Sequence, residues 1–543
     1  MSKINTLLKY YHTIKYLKPR QTIGRAYATV KRKLNLSNVK IPEIKISGSL
    51  IPRVPFLNHD PWNSANNILK YEFTFLSHTK KLEGSNKWIV KESSPLWDYN
   101  LHYFNYLNLL SDRDRIKLCK DWINNNPFPH GTGWSPYPLS LRIVNWCKAN
   151  FNDEEIERSL FFQTEYLYKN LEFYHPGNHY LENAKALIFA GLYFKEFKQS
   201  EKWLNKGVKI FLKELPVQVL PDGGYFERTQ MYHAIMLHGF LDILNILPLD
   251  FKLYQKLEKT ICSMLDFLIS NTHPNGELAL FNDSANDIAP ATKTLLEYAE
   301  KLLKYSPKFN NSFPSSGYYI YKDDDIYIII DGGEIGPDFL PAHAHADIFS
   351  YELSINDKKA IVDTGVFEYT NGKIRQELRS TKSHNTVCID NLDQVECWGS
   401  FRVARRYEPK SISFEISESG FVFSGFYDGY SKLIGQNIIH ERTIKLNKAK
   451  REIIITDKVN GLGTHLIESF VHLHPNLLLL QSEQNKAHFS ISDHKLSIDS
   501  KSTNLSIEEG FYYPRFGERI KNYKLTMCEH SELPQVLEYT ISY

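Results

Sequence analysis

Between about residue 100 and residue 305, hydrophobic side chains recur every three to four positions in long stretches, and Pro, Gly and Asn clusters separate these stretches. This spacing places apolar side chains along one side of an α-helix. Many helices in series with short links indicate an all-helical domain. The clearest predicted helices cover residues 139–149, 154–171, 180–197, 227–247 and 254–270.

After residue 315 the hydrophobic pattern changes to alternation at every second position, which is typical of β-strands. Turns such as Asn460-Gly461 separate the alternating stretches. We therefore expect antiparallel sheets packed face to face. The predicted strands cover residues 318–321, 326–330, 349–355, 386–389, 421–427, 438–446, 452–455 and 466–472.

The change of period predicts a domain boundary near residues 305–316. A chain of 543 residues is also too long for one ordinary hydrophobic core. We predict a basic N-terminal extension over residues 1–60, a helical domain over residues 61–310 and an antiparallel β-sandwich over residues 311–543.

The composition is typical of a folded globular protein, with 42% hydrophobic and 23% charged residues. A net charge of +3 gives no case for nucleic-acid binding. The six cysteines are scattered and read as reduced thiols, and neither a secretory signal nor a membrane-spanning apolar run is found. These features predict a cytoplasmic protein without an organic cofactor, and nothing in the pattern predicts its oligomeric state.

The first 42 residues carry ten Lys or Arg residues and no Asp or Glu. Ile4, Leu7, Leu8, Tyr11 and Ile14 recur at helical spacing, which predicts a basic amphipathic helix. Such a helix can lie on an acidic polymer or on an anionic membrane, as a peripheral contact at the inner membrane. The interpretation we favour is a helix that packs on its own domain and keeps a solvated basic side.

Residues 176–183 read Pro-Gly-Asn-His-Tyr-Leu-Glu-Asn at the start of a predicted helix. Pro176 and Gly177 directly precede the predicted start of the helix. Asn178 or His179 can donate hydrogen bonds there toward an anionic ligand, with help from the helix dipole. A capping Asn and a surface His explain the same residues, and the motif alone favours that structural interpretation.

Residues 220–233 form a second polar cluster, in which an Asp-Gly-Gly turn feeds a predicted helix. The first turns of this helix carry Glu227, Arg228, Tyr232 and His233, in a region otherwise rich in packing residues. This density of polar groups favours a cleft over a core. On these residues alone, Tyr232 is equally a hydrogen-bonded core tyrosine or a catalytic one.

His343, His345 and Asp347 alternate in a segment that opens the strand-rich half. In an extended chain this alternation places all three on one side, which suits a metal or an acid/base pair. Asp363 and His384 follow, and two His and one Asp from separate strands would make a three-ligand zinc site. Buried His–Asp hydrogen bonding gives the same composition, so both interpretations stay open.

Five motifs in this order, GNHxLEN, DGGxFERxxxYH, HAHADxxSYEL, VDTG and SHNT, resemble the heparinase II/III group of polysaccharide lyases. The resemblance spans roughly residues 95 to 475. It implies an incomplete (α/α) toroid followed by an antiparallel β-sandwich, in agreement with the periodicity. It also implies cleavage beside uronates by β-elimination, in which the carboxylate charge must be neutralised before a modest base can remove the C5 proton.

The resemblance implies roles for single residues. Asn178, with His179 beside it, matches the carboxylate-neutralising position. Tyr232 matches the tyrosine that acts as base or as acid to the leaving oxygen, and His343 matches the partner histidine from the sandwich. The neighbouring polar residues are expected to orient these groups or to bind sugar: Glu182, Arg228, Tyr225 and His233.

The branch of the family with a structural zinc implies the ligands His345, Asp363 and His384. The assignments of His343 and His345 can be exchanged without contradiction in the sequence. The identity of the polysaccharide is not implied.

Three functions stay open. A start without an export signal resembles the lyase-like proteins associated with bacterial surface-polysaccharide production, which favours a lyase that acts on an acidic polysaccharide during synthesis or turnover. A toroid glycoside hydrolase needs two carboxylates, for which Asp222, Glu227 and Asp283 are candidates. A noncatalytic polysaccharide-binding or assembly protein is the third, although a pure binder has no need of the Asn, Tyr and His trio.

Overall fold

The computed structural model describes residues 3–33, 39, 41–43, 45–84, 87–90 and 92–543. Nearly all of its long helices precede residue 303. Within the described residues, no helix has both the length and the apolar character needed to cross a membrane. The helices are α1 (Lys3–Ile14), α2 (Pro19–Lys33), α3 (Ala65–Leu69), α4 (Pro95–Tyr103), α5 (Asp112–Asn125), α6 (Pro136–Ala149), α7 (Glu154–Lys169), α8 (Asn178–Tyr193), α9 (Lys198–Gln218), α10 (Gln230–Ile246), α11 (Lys252–Ser270), α12 (Thr292–Leu302), α13 (Lys373–Leu378) and α14 (Gly429–Ile434).

Local sequence explains where several of these helices begin. The side chains of Ser94, Ser111, Asp153 and Thr229 each accept a backbone N–H of the first turn that follows them. Such caps satisfy donors that a helix leaves unpaired at its start. The apolar sides of α4 to α12 then meet in one hydrophobic core. Five tryptophans are fully buried in it: Trp88, Trp97, Trp122, Trp146 and Trp203.

The rest of the chain is mainly antiparallel β-sheet. The strands are β1 (Glu72–Phe75), β2 (His78–Lys81), β3 (Ser312–Phe313), β4 (Tyr318–Lys322), β5 (Ile326–Asp331), β6 (Tyr351–Ile355), β7 (Lys358–Ile361), β8 (Val387–Ile389), β9 (Cys397–Trp398), β10 (Arg402–Val403), β11 (Lys410–Ser417), β12 (Gly420–Tyr427), β13 (Ile439–Asn447), β14 (Glu452–Asn460), β15 (Thr464–His472), β16 (Leu478–Ser482), β17 (Lys486–Ile491), β18 (His494–Ser500), β19 (Leu505–Tyr512), β20 (Ile520–Glu532) and β21 (Gln535–Ser542).

Three large sheets and the two-stranded sheet β9-β10 build the strand-rich half. One has five strands in the order β3-β4-β5-β6-β7, one has four in the order β19-β20-β15-β8, and one has eight in the order β11-β12-β13-β14-β21-β18-β17-β16. Side chains from all three meet in a second hydrophobic core, such as Ile328, Ile467 and Ile455. The predicted helical domain followed by an antiparallel sandwich is therefore confirmed.

The five-stranded sheet is buried on both sides. All six residues of β5 are buried. Ile328 and Ile330 face the sandwich core, while Tyr327 and Ile329 join a smaller cluster with Phe267 of α11. This second contact brings the sheet against the helical half, which is why the sequence here is a continuous apolar run. The change from helix to strand falls between Leu302 and Ser312, and the division into three segments stays a prediction.

The favoured interpretation of the N-terminal segment agrees with the described residues only in part, because α1 contacts the body of the protein but does not bury its apolar side. Leu7, Tyr11 and Ile14 of α1 are 68%, 63% and 53% exposed, so the apolar side of this helix faces outward. The body of the protein contacts an adjacent side of α1, where the ring of Tyr10 lies 4.9 Å from that of Trp398.

Candidate active site

The predicted carboxylate-neutralising position lies at the first residue of α8. Gly177 precedes it with a φ of +109°, a conformation that favours glycine. Asn178 is nearly buried, and its Oδ1 accepts a hydrogen bond from the backbone N–H of His179 at 2.8 Å. The side-chain amide donor of Asn178 therefore sits at the positive end of a sixteen-residue helix, which suits an anionic group.

His179 is held in a stack of rings. Its ring lies 4.1 Å from that of Tyr137 and 4.5 Å from that of His175, and Tyr137 also stacks on Tyr99 at 6.4 Å. The Nδ1 atom of His179 lies 3.1 Å from a carboxylate oxygen of Glu172. These half-buried aromatic rings lie in a row, and sugar rings can pack against aromatic rings of this kind.

The polar cluster at residues 220–233 is only partly a helix. The helix α10 begins at Gln230, later than predicted, and Arg228 has a φ of +54°. The Asp222 carboxylate accepts hydrogen bonds from the backbone N–H and hydroxyl of Ser316 at 2.8 and 2.7 Å. This turn therefore fastens the helical half to the first strands of the sandwich.

Tyr232 lies in the first turn of α10, where its backbone N–H donates to the Thr229 side chain at 3.1 Å. Its ring packs on His343 with 4.2 Å between centroids, and its hydroxyl lies 3.4 Å from that of Tyr369. Burial raises the pKa of Tyr232 well above its ordinary value, and Tyr369 raises it further. The phenol therefore carries its proton at neutral pH.

His343 lies between two carboxylates. Its Nδ1 is 2.9 Å from Oδ2 of Asp283, and its Nε2 is 3.2 Å from Oε2 of Glu227. The segment of residues 343–347, predicted to be extended, lies in an irregular stretch with turns and is not part of a strand. His343 and His345 nevertheless reach the same carboxylate, because Nε2 of His345 lies 2.8 Å from Oδ1 of Asp283.

Asp283 is the centre of this network and is fully buried. The guanidinium of Arg375 binds both of its carboxylate oxygens, one of them at 2.7 Å. Burial alone would raise the pKa of Asp283, but Arg375 and the hydrogen bonds from His343 and His345 hold this pKa well below the ordinary range. Asp283 is therefore a carboxylate, and His343 donates its Nδ1–H to it.

Glu227 joins the two parts of the site. Its side chain is buried, it receives a backbone hydrogen bond from Asn178, and its other side reaches His343. Burial raises the pKa of Glu227 above the ordinary value, although His343 and His179 oppose this shift. A Cβ atom at Gly177 would lie 2.8 Å from Oε1 of Glu227, so glycine there leaves the room this carboxylate needs.

The residues predicted to orient these groups or bind sugar are all buried, and none of them offers much surface to a sugar. Glu182 pairs with Lys185 at 2.7 Å, and Tyr225 donates its hydroxyl to Gln218 at 2.9 Å. Arg228 binds the backbone and carboxylate of Glu334 in the other half. The four are Glu182, Arg228, Tyr225 and His233, with 3%, 8%, 1% and 1% exposure.

His233 has a structural role in the helical core. One of its ring nitrogens lies 2.9 Å from the carbonyl oxygen of Met264, and its ring packs on Phe267 at 4.5 Å. Burial lowers its pKa to about 4, so the ring is neutral. This placement does not support the predicted contact with substrate.

The predicted zinc ligands come close together without forming a complete site. The rings of His345 and His384 are 5.3 Å apart, and Nδ1 of His384 binds Asp363 at 2.7 Å. Nδ1 of His345 and Nε2 of His384 are buried and have no hydrogen-bond partner. Within the described part of the chain, no three potential ligands are grouped closely enough to hold a metal ion. The two unpartnered imidazole nitrogens fit a metal, and the carboxylate of Asp363 is engaged elsewhere.

Several residues of the site were missed or assigned differently by sequence reasoning. Asp283 was considered only as a hydrolase carboxylate, while Arg375, Tyr369 and Tyr137 were not singled out. Asn282, which precedes Asp283, binds the backbone of Arg228 and His345 at 3.0 Å each. The Asn282-Asp283 pair within an apolar stretch is the one local signal that was available.

Family models match most of the chain. The heparinase II/III N-terminal model matches residues 113–311, and the heparinase II/III-like C-terminal model matches residues 307–536. Among solved structures, a heparinase III superposes with a TM-score of 0.65 at 19% identity, over 88% of this chain and 82% of the other. A heparan sulfate lyase mutant from Pedobacter heparinus superposes with a TM-score of 0.62 at 20% identity, over 95% and 87%. At such identities these structures establish the fold.

Curated relatives point to the same family. A heparin-sulfate lyase of Bacteroides stercoris is 25% identical over 66% of this chain and 64% of its own length. A heparin-sulfate lyase of Bacteroides thetaiotaomicron is 23% identical over 90% and 75%. The chain thus spans slightly less than two thirds of the first of these relatives. Because the two models follow each other over residues 113–536 on the matching fold, the chain belongs to the heparinase II/III family.

Proposed function

We propose that this protein is a polysaccharide lyase that cleaves a uronic-acid-containing polysaccharide by β-elimination. The observation that carries the proposal is the meeting of three groups in one site. Asn178 lies at the start of a helix, Tyr232 stacks on His343, and Glu227 contacts both Asn178 and His343. Family membership and the names of the relatives support the same reaction class.

In the proposed reaction, Asn178 and the N-terminus of α8 hold the uronate carboxylate and neutralise its charge. His343 takes the C5 proton on Nε2, since its Nδ1–H is donated to Asp283. The phenol of Tyr232 gives its proton to the glycosidic oxygen, which leaves C4 as a hydroxyl. The electron pair of the broken C5–H bond forms the C4–C5 double bond, so no water is consumed.

The geometry disfavours a glycoside hydrolase. Asp222 is bound to Ser316, and Asp283 is fully buried beneath Arg375 and two histidines. Glu227 is left without a second accessible carboxylate among these candidates, whereas hydrolysis needs a pair. A noncatalytic binder has no use for a proton-carrying tyrosine stacked on a histidine.

Ultraviolet absorbance tests the proposal, because elimination alone creates an unsaturated uronate. Purified protein is incubated with a panel of uronate polymers that includes heparan sulfate, since a protein of the same fold is named for it. We expect absorbance to rise on at least one polymer, and to stay flat with Tyr232→Phe and His343→Ala. New reducing ends without absorbance would overturn elimination in favour of hydrolysis, and polymer binding without either signal would favour the binder.

We also propose that zinc binds beside this site, with Nδ1 of His345 and Nε2 of His384 as ligands and Asp363, predicted as the third ligand, orienting the ring of His384 from its other nitrogen. The two buried imidazole nitrogens without partners support this, because a metal ion would satisfy both. A zinc ion there would act structurally by fixing the segment that carries His343. Elemental analysis should find about one zinc per chain, and a chelator should lower the thermal midpoint of wild type but not of His384→Ala. Absence of zinc from protein purified without chelators would contradict the proposal.

We propose that the protein acts on its polymer in the cytoplasm, during production or turnover of a surface polysaccharide. The six cysteines support this, since all are free thiols as in proteins of reducing compartments. Fractionation of native cells with an antibody against the protein provides the test. Recovery wholly from the periplasm or the medium would overturn the proposal.

A further inference from the structure

The two N-terminal helices expose their apolar sides. On α1, Leu7, Tyr11 and Ile14 are separated by four and three positions, which places them on one side of the helix. They are 68%, 63% and 53% exposed, and Leu8 beside them is 50% exposed. A helix that served only to cover its own domain would bury these side chains.

The contacts to the sandwich come from the side of α1 adjacent to these residues and from the residues that follow the helix. The ring of Tyr10 packs edge-on against Trp398, and the indole Nε1–H of Trp398 donates to the Thr13 hydroxyl at 3.1 Å. The guanidinium of Arg406 lies 3.7 Å from the ring of Tyr16, directly after the helix. These contacts fix the rotation of α1 about its axis, with the apolar side outward.

The helix α2 also turns its apolar side outward. Ile23, Tyr27 and Val30 share one side at the same spacing and are 69%, 57% and 53% exposed. On the other side, Gln21 is buried and donates to the carbonyl oxygen of Phe339 at 2.9 Å. Gly24 lies so close to Tyr174 that a Cβ atom would approach it to 2.6 Å. The helix α1 is therefore anchored through Tyr10 and Thr13, and α2 through Gln21 and Gly24.

The charge of this segment indicates what covers it. Residues 1–42 carry ten Lys or Arg residues and no acidic residue. Arg20 forms a 3.0 Å ion pair with Glu214 of α9, but the segment has no carboxylate of its own to balance the remaining cations. Basic residues around exposed Leu, Ile, Val and Tyr side chains are the combination that binds the interface of an anionic bilayer.

We propose that α1 and α2 dock this protein on an anionic membrane surface, with the apolar sides inserted at the level of the lipid headgroups. A second copy of the chain fits less well, because two such basic segments repel each other. An acidic polysaccharide would meet the charge but offers no apolar volume for Leu7, Ile14 and Ile23. The inference does not depend on the proposed lyase reaction.

Vesicle co-sedimentation of the full chain tests the proposal. We expect binding to phosphatidylglycerol–phosphatidylcholine vesicles, much weaker binding to phosphatidylcholine alone, and weakening by salt. The variant Leu7→Gln/Ile14→Gln/Ile23→Gln should lose at least about tenfold in partitioning, as expected when three inserted side chains become polar. The matched control is Leu462→Gln/Leu478→Gln, which alters side chains of 76% and 66% exposure in the sandwich and should bind as wild type.

These substitutions lie on exposed positions, so thermal unfolding should stay unchanged and lyase activity on soluble polymer should be retained. Failure of wild type to bind anionic vesicles would overturn the proposal, as would equal binding by the triple variant. Self-association would replace the proposal under a different result. In that case light scattering would show a dimer for wild type and a monomer for the triple variant, and neither protein would bind vesicles.

Discussion

The proton on Tyr232 is the feature that most sharply separates the proposed roles at the site. Burial raises the pKa of this phenol well above its ordinary value, so it enters the reaction with its proton in place. Tyr232→Phe should therefore lower kcat on a natural polymer by about 10²–10⁴-fold. A synthetic uronide whose C4 substituent leaves as nitrophenolate needs no proton, and on it the variant should regain most of its rate, while His343→Ala stays slow.

Tyr305→Phe is the matched control, because it also removes a phenol hydroxyl from the helical half. That hydroxyl binds Asp266, so activity on both substrates should be unchanged. Equal losses for Tyr232→Phe on both substrates would contradict the assignment of Tyr232 as the acid and make it the base.

Single residues were predicted correctly where the local motif contains the reason for their position. Asn178 lies at a helix start because Pro176 and Gly177 precede it, and this local motif can be read directly from the sequence. The contact of Arg228 with Glu334 could not be predicted, because Glu334 lies more than one hundred positions away. The contact of His233 with the backbone of Met264 also depends on the tertiary fold, because it joins two different helices. A polar cluster alone does not distinguish a cleft from a junction between domains.

At the scale of elements, the entrance to α8 depends on Gly177. A Cβ atom there would lie 2.7 Å from the Leu340 side chain and 2.8 Å from Oε1 of Glu227, and the φ of +109° adds strain. Gly177→Ala should lower stability by about 1–3 kcal/mol and displace Glu227 from its place between Asn178 and His343. We expect activity to fall at least tenfold, measured by unsaturated-uronate absorbance on protein shown to be folded.

Gly276→Ala is the matched control for that change. Gly276 has a φ of +88° and open space around its Cα, so the strain is similar but nothing is displaced. Full activity with a small loss of stability is expected. An equal loss of activity in both variants would mean that Gly177 matters only through general stability.

The helix α7 carries a titratable contact away from the site. Glu157 accepts the Tyr193 hydroxyl of α8 at 2.7 Å and a backbone N–H of Gly48, and its second oxygen is buried without a partner. Burial raises its pKa to about 7. The folded protein holds this proton more tightly than the unfolded chain does, so protonated Glu157 stabilises the fold at acidic pH. This contribution to the free energy of unfolding is lost as the pH rises from about 4.5 through 7.

Glu157→Gln should remove that dependence. The difference in unfolding free energy between pH 5 and pH 8 should be smaller in the variant by roughly 2–3 kcal/mol, measured by urea unfolding with tryptophan fluorescence. Glu155→Gln, on the same helix and paired with Lys120 at the surface, should behave as wild type. An unchanged pH dependence in Glu157→Gln would mean that this carboxyl titrates normally.

Elements with one dominant period were predicted well, and the exceptions have a physical cause. The strand β5 could be recognised because it is buried on both sides and reads as a continuous apolar run. The segment containing His343 and His345 alternates like a strand but lies in an irregular stretch with turns, because both imidazoles are drawn to Asp283 of the helical half. The side on which α1 packs could not be predicted from its pattern, since Tyr10 and Thr13 make the contacts and the most apolar residues do not.

At the scale of the whole molecule, the site requires the two halves to hold a fixed position, because Tyr232 comes from one half and His343 from the other. Glu352 of β6 lies at this junction. Its carboxylate contacts His273 at 2.8 Å, the backbone N–H of Leu280 at 2.7 Å and Lys359 at 3.4 Å. Burial alone would raise the pKa of Glu352, but Lys359 and His273 hold it at about 2, so this group is a carboxylate at every working pH.

Glu352→Gln should weaken the junction as a whole. The change leaves the buried Lys359 without its fully buried partner, and removing one member of such a pair costs about 3–5 kcal/mol. We expect calorimetry to show a lower first midpoint and a split into two transitions, with activity lost at the first of them. Glu277→Gln is the control, because that carboxylate is 35% exposed and lies 3.6 Å from the same lysine. A single transition at the wild-type temperature would mean that apolar contacts around Phe267 and Tyr327 hold the halves together without this network.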